Sequence, residues 1–343
     1  MLHAAIVGMG WWGRTVLDAM SDSAEVRTVM AVDPAPAALH FAQERGLATT
    51  TDFATALSSP HVDAVVLCTP HQQHHEQVIA AAQAGKHVFC EKPFSMDLNG
   101  AESMVRAAEA AGVHLGIGHE KRFEPGVQYL NDRYRVGDIG TGLVLEANFS
   151  QNKFLALPAD NWRLSVEHAP AGPLSATGIH LVDLAVALFG WPDRVWARLA
   201  TMATPFANGD TLSITIGFPS GATALLTAIL TTPFMGRLCL LGSEGRIEVL
   251  DRAHPEDPKG WNVTLTRHDG SATQLSYPAM SAVRANLEAF ARHATSGEAY
   301  PFTTEQILAT AATTEAIMTS IATDSVCRVA RSAHTSSPQT TGA

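Results

Sequence analysis

Gly8-Met9-Gly10-Trp11-Trp12-Gly13 decides the reading of this chain. A glycine hexapeptide of this spacing means little alone, because glycine-rich stretches arise by chance. Here an apolar run of strand type, residues 3–7, precedes it. Residues 14–20 after it have helical character, and Asp33 stands twenty residues beyond Gly13. In that setting Gly8 allows the tight turn, Gly10 lets backbone amides approach a pyrophosphate, and Gly13 lets the helix pack on the strand. The helix start turns free N–H groups and its positive dipole end toward phosphate. All six residues, with Asp33, are therefore candidates for holding a dinucleotide. A carboxylate at Asp33 accepts from a ribose 2′-OH and repels a 2′-phosphate, which favours NAD. Arg14 and Arg45 leave NADP open, and an Asp before Pro34 is also an ordinary turn residue. Trp11 and Trp12 either cover the dinucleotide or pack at a domain junction.

Working outward, strand-type runs at residues 25–32, 64–68, 87–90 and 113–117 alternate with helical stretches at 74–84 and 101–111. Gly85 and Gly112 stop those two helices. The alternation implies parallel β-α-β units. After Pro125 the pattern changes. A connecting helix at 127–135 leads to strand candidates at 142–151, 193–200, 211–217, 222–230, 237–241, 246–250 and 263–267. Short strands with few helices between them imply a largely antiparallel sheet. A helix beginning at His180 stops at Gly190, and a last one covers 303–322. The expected fold is α/β: an N-terminal Rossmann parallel sheet, followed by an α+β domain with a large, mostly antiparallel open sheet. The expected division is a dinucleotide-binding domain at 1–122, a substrate and oligomerisation domain at 123–330, and a disordered Ser/Thr/Gly-rich tail at 331–343.

Composition narrows the function classes. The chain has 343 residues, long for a single core, and a formal net charge of −10, which repels nucleic-acid phosphates. No apolar run is long enough for a membrane helix, and the N-terminus lacks a signal-peptide pattern. Four cysteines without a Cys-x-x-Cys pair fit reduced thiols in the cytoplasm. His71, His74 and His75 have spacings that could share one helical face, but no neighbouring Cys or Asp completes a metal shell, so no metal is expected.

A second motif region carries the chemistry. Thr69-Pro70-His71-Gln72-Gln73-His74 is followed by Ala84-Gly85-Lys86-His87-Val88-Phe89-Cys90-Glu91-Lys92-Pro93. Further on stand Gly118-His119-Glu120-Lys121-Arg122-Phe123-Glu124-Pro125, Trp162-Arg163, Gly178-Ile179-His180-Leu181-Val182-Asp183 and Gly242-Ser243-Glu244-Gly245. Together these make the chain resemble the glucose–fructose oxidoreductase / inositol dehydrogenase / MocA (Gfo/Idh/MocA) family over nearly its whole length. Only His71 departs within the Thr-Pro segment, where the family usually has Asn.

The resemblance implies an NAD(P)-dependent dehydrogenase or reductase. Hydride passes between nicotinamide and a secondary alcohol or ketone, such as a cyclic polyol, a sugar derivative or a dihydrodiol. It implies Thr69, Pro70, His71, His74, Glu91 and Lys92 on the cofactor, and a Lys92–Pro93 bond that is cis. Lys92 and His180 become the catalytic pair. By position, Lys92 ends a parallel strand, where open α/β sheets bind ligands, and an imidazole suits proton transfer near neutrality. Lys92, Arg122, Trp162, Arg163 and His180 become substrate-binding candidates. Arg122 and Arg163 would suit a carboxylate or another anionic oxygen group, or else form ordinary surface salt bridges. A homodimer or homotetramer through the C-terminal sheet is also implied.

One position departs from polyol-oxidising members, which carry an Asp four residues before the histidine. Here it is Ala176, between Ser175 and Thr177. Either Lys92 and His180 suffice, a hydroxyl carries the relay, or the activity has changed. Two rival functions therefore stay open: a dinucleotide-sensing regulator without turnover, and an NAD-assisted lyase or glycosidase.

Overall fold

The computed structural model describes residues 1–333. Two compact units are present: one of Met1–Ser95, Ser103–Phe123 and Ser281–Thr303, the other of Met96–Glu102, Glu124–Met280 and the residues from Thr304 on. A single boundary after residue 122 therefore misses the return of Ser281–Thr303 to the first unit.

The first unit runs β1 (Leu2–Val7), α1 (Trp11–Ala19), β2 (Val26–Val32), α2 (His40–Gln43), β3 (Ala48–Thr50), α3 (Phe53–Ser58), β4 (Ala64–Leu67), α4 (His74–Gln83), β5 (His87–Cys90), the part from Ser103 on of α5 (Leu98–Ala111), and β6 (Leu115–Ile117). Its six strands are all parallel, in the order β3-β2-β1-β4-β5-β6. The order reverses between β1 and β4, and the crevice at such a switch point is where doubly wound sheets take ligands. β4 and the buried part of β5 are apolar throughout, as strands covered on both faces must be.

The second unit contains α6 (Pro125–Arg135), β7 (Gly142–Ser150), α7 (Ile179–Phe189), β8 (Arg194–Ala200), β9 (Thr211–Gly217), β10 (Thr223–Ile229), β11 (Met235–Gly242), β12 (Gly245–Asp251), β13 (Trp261–Arg267) and β14 (Ala272–Tyr277). The chain then makes α8 (Ala282–Ser296) in the first unit, and α9 (Thr304–Thr323) and the two-residue β15 (Cys327–Arg328) in the second. The nine-stranded sheet has the order β14-β13-β12-β11-β7-β10-β9-β8-β15. Every pair is antiparallel except β7 with β10. Alternate residues, such as Leu145, Ala147 and Phe149 or Ala224, Leu226 and Ala228, are buried. Helix α7 lies on β7 and β10, α9 on β8, and α6 on β12 and β13. The opposite face leaves Leu225 and Leu250 exposed.

Helix α8 was not expected. Its signals are a Ser281 cap, whose hydroxyl accepts from Arg284 N–H, and a left-handed Gly297 stop. It covers the edge strand β6. A Cβ on Gly116 would stand 2.6 Å from the Phe290 ring and 2.7 Å from Phe89, so glycine there admits the helix. Asn286 Nδ2 donates to Ile117 O at 2.8 Å, and Tyr300 Oη donates to Asn286 Oδ1 at 2.6 Å. Side chains thus satisfy backbone groups that an edge strand would otherwise leave open.

Of the expected tail, Ser332 is buried and bonds Glu102, and Trp191 Nε1 donates to Ala330 O at 3.0 Å. Residues 334–343 lie outside the described residues.

Asn286 is 1% exposed, so Asn286→Ala takes that buried acceptor from the Tyr300 hydroxyl and removes one of two donors to Ile117 O, which His119 N–H also reaches at 2.8 Å. Urea unfolding should show a loss of about 1–3 kcal/mol.

Candidate active site

In the first unit, the turn from β1 to α1 is shaped by contact. A Cβ on Gly13 would stand 1.9 Å from Gly8 O, and one on Gly8 would stand 2.9 Å from the Cys68 carbonyl. Gly8 also has φ +92°. Both glycines are thus required by the protein's own backbone. Gly10 differs: its φ is −65° and a Cβ there would meet nothing within 4 Å. Neither conformation nor packing asks for glycine at that point, whereas a pyrophosphate approaching the backbone does. Helix α1 has no side-chain cap and no acidic residue in its first turn. Its start is left to an anion.

Asp33 is built into the same loop. Its Oδ2 accepts from Met9 N–H at 2.8 Å and its Oδ1 from Ala35 N–H at 2.9 Å. The carboxylate is thereby oriented, and each oxygen keeps a lone pair for a ribose hydroxyl. Arg14 Nε donates to Met9 O at 3.1 Å. Arg45 lies 3.5 Å over the Phe41 ring and pairs with Asp18. Trp11 is 49% exposed, while Trp12 packs against the core. The loop, the uncapped helix and the oriented carboxylate suit a dinucleotide.

His74 ties the two catalytic-region segments together. Its ring is 1% exposed, with Nδ1 2.8 Å from Pro93 O and Nε2 3.1 Å from Thr69 O. Burial holds its pKa below the ordinary range, although both carbonyls pull upward. This histidine is a staple between the Thr69-Pro70 turn and the cis Lys92–Pro93 bond. His71 opens a short 3-10 turn and is half-buried, and His75 Nε2 lies 2.7 Å from Ser103 Oγ. Among the described residues, no three His, Cys, Asp or Glu side chains converge as a metal site.

Glu91 and Lys92 follow β5 directly. Glu91 is 6% exposed, and its carboxyl fills the space a Cβ on Gly118 would occupy. Burial, reinforced by the Glu120 carboxyl, pushes its pKa up to about 8, with Trp12 and Lys92 pulling the other way. Lys92 N–H donates to Glu91 Oε2 at 3.3 Å, and Lys92 itself is half-buried. Arg122, an expected substrate contact, donates to Pro301 O at 2.8 Å and stacks 4.1 Å over Phe302.

In the second unit, His180 is 2% exposed on the first turn of α7. A π-helical turn, Leu174–Gly178, precedes it and carries Ala176. Such wide turns escape a 3.6-residue periodicity, which explains why the sequence placed the helix start at His180. Ala176 packs against an apolar cluster of Phe154, Phe206 and Leu230. Phe149 lies 5.9 Å from the His180 ring and 6.0 Å from that of His254. Lys153 bonds both His254 Nδ1 and Glu256. Glu256 lies close enough to Arg163 to raise its pKa against burial, the larger effect, which lowers it. Arg163 in turn stacks 4.4 Å over Trp162. The expected Trp162, Arg163 and His180 are therefore joined through Phe149, Lys153, His254 and Glu256, none of which the sequence reading had singled out. Residues some hundred positions apart meet because β7 pairs with β11 and β11 with β12.

Two family models match the chain. An NAD-binding Rossmann model of an oxidoreductase family, GFO/IDH/MocA, covers residues 2–119, and the GFO/IDH/MocA C-terminal domain covers 127–248. This chain belongs to the GFO/IDH/MocA family. The chain is similar to D-xylose 1-dehydrogenase [NADP(+)] of Haloarcula marismortui, 26% identical over 84% of this chain and 82% of that protein. The 2,7-anhydro-N-acetylneuraminate hydratase of Escherichia coli is 32% identical over 66% of this chain, but only 61% of its own length is spanned. The aldose–aldose oxidoreductase of Caulobacter crescentus superposes with a TM-score of 0.84 at 24% identity, covering 95% of this chain and 99% of that one. That last likeness concerns the fold alone. As a GFO/IDH/MocA protein, the chain is an NAD(P)-dependent oxidoreductase acting on CH–OH groups.

A carboxyl raised from an ordinary 4.5 to about 8 binds its proton more tightly when folded. Its contribution to stability is complete below about pH 4.5 and is lost as pH rises through about 8. Denaturant midpoints at pH 6 and pH 9 should therefore fall further for the wild type than for Glu91→Gln.

Proposed function

We propose that the protein oxidises a secondary alcohol of a cyclic polyol or sugar derivative, or reduces the corresponding ketone, with Lys92 and His180 handling the hydroxyl proton. The observation that carries this reading is Lys92 at the carboxyl end of β5, beside the switch point of a sheet whose glycine loop suits a dinucleotide. The bound nicotinamide supplies the hydride acceptor or donor. In the oxidative direction the Lys92 amine takes the hydroxyl proton as the carbinol C–H bond breaks. His180, an imidazole suited to proton transfer near neutrality, shares the handling of that proton. Asp33 accepts from the ribose hydroxyl, and Gly10 leaves room for the pyrophosphate. Thr69, Pro70 and His71 frame the cofactor, while Trp162 and Arg163 serve the substrate.

Ala176 stands where polyol-oxidising members carry the relay carboxylate. Ser175 Oγ donates to Gly172 O and Thr177 Oγ1 to Pro173 O. The proposed mechanism runs on Lys92 and His180. The hydratase relative supports a second reading, in which the same groups serve bond cleavage or hydration without net redox. Turnover that forms product but accumulates no NADH would select it.

A homo-oligomer through the open sheet face is part of the proposal. Leu225 and Leu250 are exposed there beside Arg237, which pairs with Glu146 and Glu248. A cytoplasmic location fits the four free cysteines. No helix among the described residues is long and apolar enough to cross a membrane.

Lys92→Ala should lower kcat by about 10²–10⁴-fold on any polyol the wild type oxidises, followed by NADH absorbance. Unchanged turnover would remove Lys92 from the mechanism. Asp33→Ala should weaken NAD binding and narrow the preference over NADP, read by calorimetry with each cofactor.

A further inference from the structure

Strand β7 ends at Ser150, yet its ladder runs one residue further. Gln151 N–H donates to Ile229 O at 2.8 Å, continuing the parallel pairing with β10. Backbone that stays extended sends residues 147, 149 and 151 to one face. Ala147 and Phe149 are buried on the face that α7 covers. Gln151 is the next side chain along it, about 7 Å from Phe149. Phe149 is the ring that lies 5.9 Å from His180.

Gln151 is 6% exposed, and its Oε1 is fully buried with no hydrogen-bond donor among the described residues. Buried side-chain oxygens of this kind nearly always have a donor, and leaving one without is costly. The other orphaned carboxamide oxygen in this unit belongs to Asn208. There the amide nitrogen is already engaged, donating to Arg163 O and Ala169 O at 2.8 Å each, so that side chain has a structural task. No comparable bond explains Gln151.

Resting on the proposed polyol chemistry, we infer that the Gln151 carboxamide receives a second hydroxyl of the substrate, one that does not react, on the same sheet face as His180. The group is neutral and cannot stand in for the missing carboxylate at Ala176 as a proton carrier. It can fix which carbinol of a polyhydroxylated ring is presented. The substrate class is therefore a compound with at least two hydroxyls, and simple alcohols bind without this contact.

The test uses Gln151→Met, which keeps the volume and removes both polar atoms, and Gln151→Glu, which keeps an acceptor at the same reach. The probes are myo-inositol, D-xylose and D-glucose, with cyclohexanol as the single-hydroxyl control. Each is measured with the cofactor for turnover and for the ligand-induced rise in Tm. For a polyol that the wild type uses, Gln151→Met should raise KM about tenfold while kcat moves less. It should also abolish most of the polyol-induced Tm rise. Gln151→Glu should retain more of both, and cyclohexanol should show no difference between variants. Equal KM and Tm rise in wild type and Gln151→Met overturns the Gln151 role alone. A wild type that neither turns over nor is stabilised by any polyol overturns the polyol reading as well.

Discussion

The close approach of two backbones at the start of α1 governs the dinucleotide half of the molecule. Gly13 lies so near Gly8 O that a single methyl group would collide with it, and a methyl group on Gly8 would crowd the Cys68 carbonyl just past the end of β4. Three elements therefore meet only because no side chain intervenes. That contact sets the position of Met9, whose N–H is held by Asp33, so the glycine loop and the Asp33 carboxylate are tied together. The end of β4 leads into Thr69, and His74 carries the constraint on to Pro93 and hence to Lys92. A chain of short-range contacts thus connects the pyrophosphate loop with the residue assigned to proton transfer.

The electrostatics of this region follow from its burial. Glu91 is enclosed with Glu120 nearby, and the local medium cannot support two negative charges cheaply. A proton held there near neutral pH keeps the wall beside Lys92 less negative than its sequence implies. On the second unit the opposite strategy operates. Lys153, His254, Glu256 and Arg163 compensate one another beside the Phe149 and Phe234 rings, with Arg163 over Trp162. The charges there are paired, and the neutral Gln151 carboxamide is the group we propose for a substrate hydroxyl.

Legibility in the sequence tracks the range of the interaction responsible. The glycine loop, Asp33 and the alternation of strands and helices are local patterns, and each element they announced is present within a few residues of its expected bounds. The three-residue β3 was missed because so short a run carries no periodicity, and β14 because only alternate polar positions mark it. Helix α8 had its Ser281 and Gly297 signals, but its return to the first unit rests on Phe290, Asn286 and Tyr300 finding β6 across more than a hundred and fifty residues.

By itself the sequence determined the dinucleotide loop, the parallel and antiparallel halves, the family, and the identity of Lys92 and His180 as the groups to test. Those features depend on residue type and on spacing within one or two elements. Only the tertiary structure decided that His74 is a staple, that Glu91 holds a raised pKa, that Ala176 faces apolar side chains, and that Gln151 shares a face with Phe149. Each of these depends on which atoms surround a side chain once distant strands pair. Burial and missing partners are properties of that enclosure, and no run of residues read in order contains them.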